Sequence, residues 1–189
     1  MAVSKVQIAN RALQKLGADR ISALSQDDPN ARSMNAAYDL TRDAELRRYD
    51  WGFAIKRVSI AADTDQTAWG NWNKFSLPND YIRVVLDDET GQAVDWRIEG
   101  QYIVSADAAP LDIRYIARID DPNFYDSLFI EAFACRLALE TAHEITGSTS
   151  KKDSIARDYT DAIAEARRVG AIEKPAEEFP EDSWLNARL

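Results

Sequence analysis

The sequence predicts an α+β protein: a helical body of about four helices with an inserted, mainly antiparallel β lobe. Three observations predict it. Near both ends, apolar residues recur at helical spacing. Between residues 53 and 118 the period falls to two, in short segments closed by turn residues. The connections there are too short for the crossover helices that parallel strands require, which favours antiparallel pairing. The 189 residues then divide into N-terminal helices over 1–50, the β-rich lobe over 51–120, a helix pair over 121–170 and an extended acidic docking tail over 171–189.

Ser4 followed by Gln7 is a capping box, and Val6, Ile8, Ala9, Ala12, Leu13 and Leu16 continue from it at helical spacing. Gly17 stops this first helix. Asp28-Pro29 opens a second, reaching to about Tyr49, with Ala31, Met34, Tyr38, Thr41 and Ala44 on one face and charges on the others. Residues 53–61 read as a strand, Gly70 and its neighbouring Asn residues as a turn, and residues 77–80 as another turn. Strands follow at 81–86, 94–98, 102–104 and 111–116, with a loop at 87–91 and a hairpin across Gly100. Asp121-Pro122 opens the third helix, whose stripe is Phe124, Leu128, Ala132, Cys135, Leu139 and Ala142, and Gly147 ends it. A fourth helix runs from Ser150 to Val169, stopped by Gly170, and buries Ile155, Tyr159, Ala162, Ile163 and Ala166. Two long helices with so short a connection should be antiparallel neighbours.

Charge and cysteine content exclude several functions. With 23 Lys and Arg against 32 Asp and Glu, the net charge is −9, so there is no broad basic footprint for nucleic acid or anionic membrane. The chain has one cysteine, Cys135, and one histidine, His143, so neither an internal disulfide nor a Cys/His zinc set is expected. No stretch has the length of a signal peptide's apolar run or of a membrane span, and a soluble protein made in a reducing cytoplasm is expected. Phosphate-binding, dinucleotide and nucleophile-elbow motifs are absent. Cys135 and His143 lie eight residues apart on one helix, about 12 Å along its axis, too far for a nucleophile and its base. The acidic clusters at Asp27-Asp28, Asp87-Asp88-Glu89 and Asp120-Asp121 sit at turns and caps, where carboxylates belong for structural reasons. No catalytic residue, metal ligand or cofactor site is expected.

The aromatics Trp51, Phe53, Trp69, Trp72, Phe75 and Tyr81 crowd one part of the chain and suit a core between sheet and helices. Trp69 and Trp72 fall in a turn-rich segment and are candidates for an exposed interface. In the tail, Pro175 and Pro180 break a helix, and Glu173, Glu177, Glu178, Glu181 and Asp182 oppose burial. Phe179, Trp184 and Leu185 then read as anchors on a partner, with Arg188 pairing beside them.

Three ordered strings resemble the head-to-tail adaptors of short-tailed bacteriophages, the tail tubular protein A type. The first is IANRALQKLG from Ile8 to Gly17, followed by ISAL from Ile21. The second is YDLTRD from Tyr38, running into WGFA from Trp51. The third is WNKFSLPNDYIRV from Trp72 to Val84. The resemblance implies a structural virion protein, not an enzyme, in a twelve-fold ring that joins the portal protein to the tail nozzle protein, near the tail fibres, with DNA passing through unbound. It places the protein in the virion, at the tail and portal vertex, and in host cytoplasm during assembly. The helices would form the ring body, the strands would face the nozzle, and Phe179, Trp184, Leu185 and Arg188 would meet the portal. Trp69, Trp72, Arg42 and Arg47 are the ring or nozzle contacts expected. A tail component with accessory carbohydrate- or cell-wall-cleaving activity and a host-cell binding module are the alternatives.

Overall fold

A computed structural model describes residues 3–65, 67, 70, 72–85 and 96–172. Among these described residues four α-helices flank six strands: α1 (Lys5–Leu16), α2 (Pro29–Arg48), α3 (Ser127–Thr146) and α4 (Thr149–Ile172). Local chemistry sets most of their ends. The Ser4 hydroxyl accepts the Gln7 amide at 3.2 Å while the Gln7 side chain accepts the Ser4 amide at 2.9 Å. The Asp28 carboxylate accepts the Asn30 and Ala31 amides at the start of α2, and Asp126 does the same for Leu128 and Phe129 at α3. Gly17 and Gly147 close α1 and α3 at φ of +76° and +62°, where a Cβ would be strained.

The strands are β1 (Ile55–Ile60), β2 (Asn73–Ser76), β3 (Tyr81–Val85), β4 (Trp96–Glu99), β5 (Tyr102–Ser105) and β6 (Leu111–Ala117). They form two three-stranded antiparallel sheets, ordered β1-β6-β3 and β2-β5-β4. All six lie in sequence between α2 and α3, so the fold is the α+β arrangement of helical body and β lobe. The first sheet serves two cores. At one end Ile55 pairs with Ile116, and both pack on the helices. At the other, Ile60 pairs with Leu111, and both pack with Phe75 and Ile103 of the second sheet. Ile60 lies five positions after Ile55, an odd offset, so the pleat turns them to opposite faces.

Helix α3 packs against each of the other three helices. It is buried on more than the expected stripe, with Phe129, Phe133, Ala134 and Leu137 enclosed as well as Ala132, Cys135 and Ala142. The Phe129 ring lies 4.9 Å from Trp51, 5.0 Å from Phe53, 5.1 Å from Tyr125 and 5.8 Å from Phe133. These contacts join α3 to the start of the β lobe.

Several expectations are corrected. Residues 122–124 form a separate 3-10 turn capped by Asp121, and α3 begins only at Ser127, because Asp126 supplies the effective cap. Phe124 is therefore not in the α3 stripe and stands 67% exposed. On α2, Ala44 is exposed and Glu45 and Leu46 are buried in its place. Helix α4 runs through Gly170 to Ile172, so Ala171 and Ile172 are helical rather than extended. Residues 52–54 make a 3-10 turn before β1. Strand β2, too short to show a pattern, was not anticipated. The predicted loop at 87–91 and the first residues of the 94–98 strand lie outside the described residues.

Candidate functional site

Arg42, expected at a contact between subunits, is turned inward. Its guanidinium reaches Asp39 at 2.9 Å, Asp43 at 2.8 Å and Asp120 at 2.7 Å, with the side chain 4% exposed. Burial opposes the charge, but the bond and field of Asp43, then Asp39 and Asp120, outweigh it and hold Arg42 above its usual value. Arg118 adds a second link to Asp43 at 2.9 Å. The cluster fastens α2 to the segment that leaves β6. Next to Asp39, Leu40 is 77% exposed, an apolar side chain on a helix face that the described residues leave bare.

Arg47 is exposed, and its guanidinium donates to the Ile82 carbonyl. Arg83 in turn donates to the Arg47 carbonyl at 2.8 Å and pairs with Asp50. These bonds stitch the end of α2 to the edge of β3. Trp72 sits in the outer sheet's approach, half-buried, with the Arg97 guanidinium 4.8 Å from its ring. Trp69 and the four tail residues Phe179, Trp184, Leu185 and Arg188 lie outside the described residues. Arg42 and Arg47 thus belong to the helical body and its junction with the first sheet, and Trp72 to the second sheet.

A polar knot at the α2–α3–α4 junction was not foreseen. The Tyr159 hydroxyl donates to the Glu45 carboxylate at 2.9 Å, and Arg48 and Arg136 stand 3.5 and 3.7 Å from the same group. Arg48 also donates to the Tyr159 oxygen at 2.5 Å, and Arg136 pairs with Glu140 at 2.5 Å. Burial pushes the Glu45 carboxyl up despite its donors. The signal was present in the spacing, since Glu45 follows Thr41 by four residues and Tyr38 by seven on the buried face. A second knot joins α1 to α3, where Glu131 takes Lys15 at 2.5 Å and Arg11 at 3.0 Å. Beside it lies the buried Cys135, whose thiol burial pushes up. His143 is exposed further along α3.

The segment just after α2 and the last turns of α4 flank an open groove of about 580 Å³, with Tyr49, Asp50, Trp51, Gly52, Ala164, Arg167 and Arg168 in its lining. The Arg167 guanidinium lies 4.3 Å from the Tyr49 ring centroid. Among the described residues no group of three or more His, Cys, Asp or Glu is placed to hold a metal ion, and no helix is long and apolar enough to cross a membrane.

No family model and no curated protein matches the chain. The adaptor resemblance rests on the three strings themselves.

Proposed function

We propose that this chain is a head-to-tail adaptor subunit, a structural virion protein that joins portal to tail nozzle in a ring around the DNA channel. The observation that carries the reading is the division of the subunit into two cores. The helical body and the outer β2-β5-β4 sheet each have their own, with the first sheet between them. A connector must present one surface to the portal and another to the nozzle, and a body with a separately packed lobe suits that task. The exposed Leu40 on α2 supports a lateral contact between copies, since heterologous surfaces close a ring by rotation. A net charge of −9 suits a channel through which DNA slides without binding. On this reading the tail anchors Phe179, Trp184, Leu185 and Arg188 meet the portal, and Trp69, Trp72 and Arg47 serve the ring or nozzle contacts. Arg42 acts from inside the subunit.

The test is co-expression with the portal protein of the same genome, followed by sizing and electron microscopy. A closed ring of this chain seated on the portal is the expected result. A monomer that ignores the portal would overturn the reading, and cleavage of peptidoglycan or capsule by the purified chain would replace it with an enzymatic one.

A further inference from the structure

The groove between residues 49–52 and α4 carries Arg167 and Arg168 in an acidic protein, and the carboxylate in its lining, Asp50, is paired with Arg83. Among the described residues neither Arg167 nor Arg168 pairs with a carboxylate, and both are exposed. Small residues, Gly52 and Ala164, keep the groove open. The described part of helix α4 runs to Ile172, directly after Ala171, itself part of the groove wall. Ile172 stands 72% exposed, so apolar surface continues from the groove toward the emerging chain. The following segment, residues 173–189, carries five carboxylates against Lys174 and Arg188, and four large apolar side chains, Phe179, Trp184, Leu185 and Leu189. Its charge is complementary to Arg167 and Arg168, and its anchors match the open, partly aromatic lining.

We propose that in the free subunit the C-terminal segment folds back into this groove of its own chain. Trp184 seats against Tyr49 and Gly52, and Glu181 and Asp182 lie on Arg167 and Arg168. Reach is ample: the seven residues from Ile172 to Phe179 span up to ~23 Å when extended, and the twelve to Trp184 up to ~40 Å. Pro175 prevents the helix from carrying the chain straight past. Because the tether starts at the groove wall, the local concentration of the segment is in the millimolar range, which favours its own chain over a neighbour's. Resting on the adaptor reading, the consequence is that the portal-docking anchors are withheld in the free subunit and released only when the portal competes for them.

Hydrogen exchange on the full chain, without portal, tests the seat. In Trp184→Ala, amides of residues 49–54 and 164–170 are expected to exchange roughly tenfold faster, while α1 and β6 keep wild-type rates. Charge reversal by Glu181→Lys with Asp182→Lys should do the same, and adding Arg167→Glu with Arg168→Glu should restore protection. Unchanged exchange at the groove in both tail variants overturns the proposal. Protection that fades on dilution also overturns it, by assigning the groove to a neighbouring copy's tail. Failure of portal binding would refute the adaptor reading and leave these exchange rates where they are.

Discussion

Replacing Arg42 by alanine separates an internal clamp from an interface residue. Each charge-assisted hydrogen bond is worth ~1.5–3 kcal/mol when its partner is left buried. Here the partners Asp39, Asp43 and Asp120 are 65%, 29% and 71% exposed and return to water when the guanidinium goes. The sum of three bonds therefore overstates the loss. What remains is the packing of the enclosed Arg42 stem and the partly buried link to Asp43, together about 2 kcal/mol. In a chain of 189 residues that lowers Tm by about 4–8 °C. The assay is thermal unfolding of the isolated subunit followed by circular dichroism, at low protein concentration and neutral pH. A cycle with Asp120→Ala should show coupling of about 1 kcal/mol, weaker in high salt. An Arg42→Ala variant whose Tm stays within about one degree of wild type would refute the clamp.

Glu131 gives a pH signature. Burial pushes its carboxyl up, but the bonds from Arg11 and Lys15 outweigh this and hold it below the ordinary 4.5. Its contribution is therefore complete above that value and fades as pH falls through it, so the Tm gap between wild type and Glu131→Gln should narrow below about pH 4.5, and a constant gap would contradict the pairing. Tyr38 is 1% exposed, and its hydroxyl has no hydrogen-bond partner among the described residues. Tyr38→Phe keeps the edge contact on Phe133 and should leave Tm equal or higher, whereas a loss above about 1 kcal/mol would reveal a bonded hydroxyl. Phe129→Ala removes the centre of the aromatic cluster and should cost about 3–5 kcal/mol in chemical denaturation, against a near-neutral Leu40→Ala in the isolated subunit.

Much of the fold was legible because its signals are local. Ser4 with Gln7, Asp28 with Pro29 and the glycines at 17 and 147 act within a few residues of the ends they set, so a linear reading finds them. Period two against period 3.6 separated lobe from body, and the short connections gave antiparallel pairing. The same logic misled where two local signals competed. Asp121-Pro122 has the form of a helix start but caps only a short turn, because Asp126 lies three residues before Phe129, enclosed by aromatics, and four before Ile130, which packs on the core. Gly170 reads as a stop, yet α4 continues through it.

The class of fold, the order of its elements and most helix ends follow from propensity, periodicity and caps, all of which act locally along the chain. What the charged residues do depends on contacts between distant segments. Glu45 is buried because Tyr159, 114 residues away, supplies a donor beside it, and Arg42 is enclosed because Asp120 returns from the far side of the β lobe. The division into β1-β6-β3 and β2-β5-β4 is likewise a matter of distant pairing, β1 with β6 across the whole lobe. A charge costs free energy to bury unless a partner meets it, and partners at such separations leave no periodic trace in the chain.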